Sequence, residues 1–173
     1  MNGSRSCLRT GDRLVVDTQI LKWAAINELR PTEGRNALAV MERILLVCPA
    51  VFVGARQVDE IVPIFARHVG RRLDDTLFFS RLDDANKTGK VRLSRSASRA
   101  LDKKAKRFLS DIQSASDYHL FETARALDGI LITDDGRLLD NRGELRQLTG
   151  VTILGYRDIL PCAEESPGGG SDN

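Results

Sequence analysis

Short apolar runs alternate with amphipathic helical stretches along this chain, which predicts an α/β domain: a parallel sheet with helices on both faces. Three observations carry that prediction. The runs Leu14–Val16, Val51–Val53, Ile130–Ile132 and Val151–Leu154 are rich in aliphatic residues, as expected of strands buried on both faces. Helical spacing separates them, and parallel neighbours need crossovers of that kind. The chain has 173 residues, 42% of them hydrophobic, which suits one domain with a substantial core. Only 5% are aromatic, so Val, Ile, Leu and Ala must fill most of that core.

Leu14-Val15-Val16 runs without interruption into Asp17 and reads as the first buried strand. From Thr18 to Leu29, Ile20, Leu21, Ala24 and Ala25 recur at helical spacing, and Trp23 packs beside them. Pro31 closes the pattern, because the residue before a proline avoids the α region. Arg35 to Val47 is a second amphipathic helix with Leu38, Met41, Ile44 and Leu45 on one side, stopped by Pro49. Val51-Phe52-Val53 is the next strand, closed by Gly54. Arg56 to Val69 is helical again, but Pro63 falls inside it. An interior proline costs a helix about 3 kcal/mol, which predicts a kink or a late start. Arg71 to Lys90 is the least regular stretch, with a short helix expected at Thr76 to Leu82 and a turn at Asn86 to Gly89. Val91 to Leu93 reads as a short strand.

Ser96 to Ser110 reads as a basic helix whose apolar stripe is Ala97, Leu101, Ala105, Phe108 and Leu109. Ser114 or Ser116 is placed to cap the following helix, Asp117 to Leu127, by accepting a backbone N–H. Gly129 suits its C-terminal stop. Ile130-Leu131-Ile132 is a strand ending in Thr133-Asp134-Asp135, and a short helix around Arg142 to Leu148 leads to the last strand, Val151 to Leu154. The domain therefore spans residues 13–160, between a polar tail (1–12) and a Gly, Ser and acid-rich tail (161–173) that reads as disordered.

Lys and Arg total 26 against 24 Asp and Glu, a net charge of +2, so overall charge does not argue for nucleic acid. The cysteines, Cys7, Cys48 and Cys162, are odd in number and widely spaced, without a C-x-x-C pair. That pattern predicts reduced thiols in a cytoplasmic protein. No apolar run reaches the roughly 18 residues of a membrane helix, and the start lacks the apolar segment of a secretory signal. No membrane partner is expected.

Acidic residues fall where parallel sheets place their sites. Asp17 continues the first strand, Asp134 and Asp135 end another, and Asp117 opens the helix just before it. Gathered carboxylates repel one another unless a cation neutralises them, and hard divalent ions such as Mg2+ or Mn2+ prefer oxygen ligands. Aspartate is also common at such positions as a simple helix cap or turn residue. Asp17 is the hardest to explain that way, because it directly continues a buried strand.

These segments resemble the PIN-domain nucleases. Leu14-Val15-Val16-Asp17-Thr18-Gln19-Ile20-Leu21 is similar to the family's opening strand, and Asp117 to Ala124 to its central motif. Ile130 to Leu139 is similar to its late motif, and Val51 to Val62 to the segment carrying its glutamate. The resemblance spans roughly Arg13 to Ile159. It implies a three-layer α/β/α fold with four or five parallel strands and a Mg2+- or Mn2+-dependent endoribonuclease. It also implies that Asp17, Glu60, Asp117 and Asp135 form an acidic quartet. Asp17, Asp117 and Asp135 would be the metal ligands, and Glu60 an outer ligand or water-orienting base. Thr18 and Thr133 match supporting hydroxyls, and Asp134 falls where the family often has glycine. Gln19 replaces the family's asparagine. Pro63, one turn past Glu60, could redirect that glutamate and leave Asp59 as the fallback. Small domains of this family often act as the toxin of a toxin–antitoxin pair, which implies RNA as substrate, an antitoxin partner and a homodimer.

A substrate path for RNA should be basic. Arg92, Arg95, Arg99, Lys103, Lys104, Lys106 and Arg107 form a run before Asp117, with Arg95, Arg99, Lys103, Lys104 and Arg107 the proposed contacts. A solvated helix face accounts for the run equally well. Arg56, Arg67, Arg71 and Arg72 make a second cluster near Glu60. His68 and His119 are assigned surface or packing roles, and His119, two residues past Asp117, is expected to point away from it. A non-catalytic RNA- or protein-binding module of the same fold is the competing reading. A haloacid dehalogenase-like site would need Asp at Gln19, and a response receiver would need a lysine after Lys106, where none follows.

Overall fold

The computed structural model describes residues 8–9, 11–47, 50–70, 76, 80–81, 84–85, 87–89, 91–94 and 98–160, with backbone only at 55, 58, 68–69 and 91–94. The elements are β1 (Arg13–Val16), α1 (Thr18–Leu29), α2 (Arg35–Val47), β2 (Ala50–Gly54), α3 (Ala55–Val69), β3 (Val91–Ser94), α4 (Lys103–Asp111), a 3-10 turn (Ala115–Asp117), α5 (Tyr118–Ala126), β4 (Ile130–Ile132), α6 (Gly136–Asp140), α7 (Arg142–Thr149), β5 (Thr152–Leu154) and α8 (Tyr156–Ile159). The three cysteines, Arg71 and Arg72, and both extreme tails lie outside the described residues, as does most of the helix expected at Thr76 to Leu82.

The five strands pair in the order β3-β2-β1-β4-β5, all parallel. Side chains along β1 alternate between two cores, as pleating requires. Leu14 and Val16 join α1, α2 and α3 on one face. Val15 joins Leu109, Phe121, Leu138 and Leu145 on the other. Both faces of β1 are sealed, which is why its sequence is continuously apolar rather than alternating. The result is the expected three-layer α/β/α arrangement. Among the described residues, no helix is long and apolar enough to cross a membrane.

Four local expectations are corrected. Helix α3 begins at Ala55 and runs through Pro63. Ile61 and Phe65, both fully buried, anchor it on either side of the proline. The carbonyl that Pro63 leaves without a donor belongs to the exposed Asp59, where water can serve. The basic helix starts at Lys103 rather than Ser96, because Asp102 caps it by accepting from the Ala105 N–H at 2.8 Å. Upstream, the Arg99 and Leu101 N–H groups donate instead to the Glu122 carbonyl and carboxylate. Neither Ser114 nor Ser116 caps α5, and the Ser114 hydroxyl is buried without a hydrogen-bond partner. The left-handed turn after α5 falls on Asp128 (φ 47°) rather than Gly129. Gly129 is needed for another reason: a Cβ there would lie 2.6 Å from the Arg13 carbonyl oxygen, where β1 and β4 meet.

Candidate active site

From β1 the sheet grows outward through β2 to β3, and β4 and β5 are then laid on the opposite side. The order therefore reverses between β1 and β4, and a crevice opens there at the carboxyl ends of the strands. Asp17 leaves β1 and Thr133 to Asp135 leave β4 at this crevice, held in register by an Asp17 N–H to Ile132 carbonyl bond of 2.8 Å.

Asp17 is only 5% exposed. Its Oδ2 accepts from the Thr133 hydroxyl at 2.6 Å, and its Oδ1 caps α1 by accepting from the Gln19 N–H at 2.9 Å. Gln19 thus contributes its backbone while its side chain is exposed, so the departure from asparagine leaves this cap intact. Burial raises the Asp17 pKa, the two hydrogen bonds act against that shift, and the charge of Asp135 adds to it.

Asp117 closes the 3-10 turn and begins α5 without capping it. Its carboxylate takes one bond, from the Ser116 hydroxyl at 3.3 Å. Its pKa is pushed up to about 6, first by burial and then by the charge of Asp17, with a smaller contribution from Asp135. Asp135 behaves oppositely. It caps α6 through the Arg137 N–H, and the Arg137 guanidinium grips both its oxygens, at 3.2 and 2.8 Å, which lowers its pKa. Arg137 is anchored in turn on the Gln113 carbonyl at 3.1 Å. Exposed Asp134 has its pKa raised by partial burial and by Asp17. Burial raises the Tyr156 phenol as well, helped by Asp134 and Asp17.

Glu60, not Asp59, faces this centre; Asp59 is exposed. Glu60 accepts from the Thr18 hydroxyl at 3.4 Å and pairs with Arg56 at 3.3 Å. His119 Nε2 lies 3.7 Å from it. The expectation that His119 points away from the site is therefore corrected. Its Nδ1 lies 3.0 Å from the Ser116 carbonyl, which can only accept, so Nδ1 carries the proton. That leaves Nε2 buried, without a hydrogen bond, facing the carboxylates. The turn of 3-10 helix before α5 shifts the helical phase assumed from sequence, and that is what rotates His119 inward.

Three further contributors had weaker sequence signals. Gln57, 1% exposed, donates to the Val16 carbonyl and accepts from the Gly54 N–H at 2.9 Å, tying the start of α3 to the end of β1. This places Glu60, one turn on, against Thr18 and His119. Its only signal is a glutamine at the third position of a helix. Lys22 is 8% exposed and lies near enough to Asp17 for the two charges to interact, although burial lowers its own pKa. Arg137 appeared in the sequence only as part of a motif.

Arg56 of the second basic cluster reaches Glu60, but the described residues of the basic run before Asp117 do not converge on the carboxylates. Arg95 lies outside the described residues, as do the side chains of Arg92 and His68. Arg99, Lys103, Lys104 and Arg107 are exposed, and Lys106 pairs with Glu122 at 3.4 Å. The Ala100 carbonyl accepts from Arg125 at 3.1 Å, so the basic start of α4 lies beside the far end of α5. Asp117 stands at the opposite end, roughly 12 Å away at helical rise. Just past the end of α4, Gln113 reaches the crevice by its carbonyl bond to Arg137.

Asp17, Asp117, Asp134 and Asp135 thus share one electrostatic neighbourhood, and Glu60 joins it through Thr18 and His119. Among the described residues, no three His, Cys, Asp or Glu side chains stand close enough, as placed, to enclose a metal ion. The donors nevertheless suit a hard divalent cation. They are carboxylate oxygens, mutually repelling, with Asp117 free of structural hydrogen bonds to backbone. No family model and no curated protein matches the chain.

Proposed function

We propose that the chain is a metal-dependent endoribonuclease of the PIN-like type, hydrolysing RNA phosphodiester bonds at the β1/β4 crevice. The observation that carries this reading is Asp117. It is partly buried within reach of the charge of Asp17, its pKa is pushed up to about 6, and it caps nothing. A carboxylate kept at such a cost without a structural return is a functional-site candidate.

Asp17, Asp117 and Asp135 would hold Mg2+ or Mn2+, with Asp134 beside them. When bound, the ion would polarise the scissile phosphate and lower the pKa of its water. Thr133 fixes one oxygen of Asp17 and leaves the carboxylate a defined direction. Glu60, set by Gln57 and Thr18, would orient the attacking water. His119 Nε2 faces the Glu60 carboxylate at 3.7 Å and helps to set its direction. The reading implies a cytoplasmic enzyme acting on RNA. As a toxin it would take an antitoxin protein and a second copy of itself as partners.

One observation favours a non-catalytic binding module instead. Arg137 already neutralises Asp135 through both oxygens, and would have to release it before that residue could serve a cation. Cleavage of a labelled structured RNA separates the two readings. Activity with Mn2+ that disappears with EDTA and in Asp17→Asn supports the nuclease. Activity surviving both treatments, or none under any divalent ion, refutes it.

A further inference from the structure

We infer that a cleft beside the carboxylates is a nucleobase pocket, which would make the substrate single-stranded RNA with one base turned out of the stack. The inference rests on the nuclease reading and adds to it the form of RNA that is bound. The cleft, about 640 Å³, lies between the α1–α2 loop and the start of α8, a size usual for small-ligand sites. Trp23 and Tyr156 line it, with Thr32, Arg35 and Asn36 supplying polar groups. Asp134 belongs to its wall and, with its charge acting on Tyr156 and sensing Asp17, connects the cleft to the catalytic crevice.

The cleft is built rather than incidental. Asn27, 8% exposed, spends its amide on the loop, donating to the Pro31 carbonyl at 3.0 Å and the Glu33 carbonyl at 2.6 Å. Gly34 sits at φ 69°, where a Cβ would stand 2.0 Å from the Trp23 carbonyl oxygen, so the loop is pressed directly onto the tryptophan backbone. Lys22 Nζ rests 4.8 Å from the centre of the Trp23 ring and helps to hold it. Glu33 is offset by Arg30 at 3.5 Å, whereas exposed Arg35 forms no ion pair among the described residues and is available to a phosphate. The first turn of α2, which forms this wall, has no acidic residue to repel one. Aromatic faces with an adjacent cation are how single-stranded nucleic acids are held without sequence readout.

Trp23 is the only tryptophan in the chain, so its fluorescence reports on the pocket alone. The probe is a single-stranded hexaribonucleotide, titrated with Ca2+ replacing Mn2+ so that binding is read apart from cleavage. The inference expects saturable quenching by this RNA, little by a blunt duplex of the same sequence, and little by an abasic hexamer. Tyr156→Leu should weaken binding roughly five-fold or more, as loss of one stacked base does, and Tyr156→Phe should restore it. Should Tyr156→Leu fail to fold, Arg35→Ala at the exposed rim is expected to weaken binding in its place. Equal quenching by the abasic hexamer would mean that only phosphate is held, and would overturn the inference. Wild-type cleavage of RNA with Trp23 emission unmoved would overturn the pocket while leaving the nuclease standing. Quenching by single-stranded RNA without cleavage under any divalent ion would keep the pocket and remove the nuclease.

Discussion

Replacing Asp117 with asparagine should make the metal-free protein more stable while abolishing cleavage. The pKa of Asp117 moves from 3.8 to about 6 on folding. At 1.36 kcal/mol per unit, a shift of about two units is about 3 kcal/mol. Asp117 is partly open to solvent, which screens the effect to about 1–2 kcal/mol. The sign follows from linkage: the folded pKa is raised, so below 3.8 both states are protonated and the penalty is absent. The penalty grows as pH rises between 3.8 and about 6, and is complete above that window. Asparagine keeps the shape and cannot ionise, so Asp117→Asn should gain about 1–2 kcal/mol at pH 8 in EDTA and nothing at pH 3.5. For a domain of this size that is about 2–8 °C in Tm. Thermal unfolding of both proteins at the two pH values checks it. A variant less stable than wild type at pH 8, or a gain that is the same at both pH values, would refute the idea that Asp117 is an uncompensated charge.

Divalent ion should recover the stability that the carboxylates give up. Mn2+ at 100 times its Kd adds about 2.7 kcal/mol, so wild-type Tm should rise by about 5–10 °C, and an Asp17→Asn/Asp135→Asn variant should not respond. Arg137→Ala frees both oxygens of Asp135, so calorimetry should find Mn2+ bound about two- to five-fold more tightly than by wild type; weaker binding would make Arg137 a support of the site rather than a competitor. Gly34→Ala forces a Cβ into the Trp23 carbonyl at a left-handed φ, and should lower stability by about 2 kcal/mol or more in urea unfolding.

The layered fold was legible because its signals are local and redundant. Helices α1 and α2 run as their periodicity predicts, Thr18–Leu29 and Arg35–Val47. The central strands were legible because burial on both faces keeps Leu14–Val16, Val51–Val53 and Ile130–Ile132 free of polar residues. What failed was decided by tertiary contacts. Residues 98–102 have helical composition, yet the Arg99 and Leu101 N–H groups find Glu122 on α5, and Asp102 caps more effectively than anything upstream. Among site residues, Asp17 was legible because an acid prolonged a buried strand. Glu60 was ambiguous with Asp59, since nothing local reveals that Gln57 locks α3 onto the end of β1. His119 was misjudged because a 3-10 turn, whose phase differs from an α-helix, precedes it.

Aspartates at strand ends and helix starts are ambiguous because capping and chemistry ask for the same positions. Here the ambiguity resolves by asking how much of each side chain's cost its own bonds explain. Asp102 is exposed, and the cap it gives α4 accounts for its position. Asp135 caps α6 and is neutralised by Arg137, so the fold holds it charged at a lowered pKa. Asp17 caps α1 and accepts from Thr133, yet burial still raises it. Asp117 caps nothing, receives one long bond, and is pushed up to about 6 by burial and by the charge of Asp17. At Asp17 and Asp117 a cost is left that their own bonds do not offset, and both stand at the β1/β4 crevice. A cation supplied from solution would cancel the remainder at Asp17 and Asp117 together, which no single substitution within the fold achieves without removing one of them.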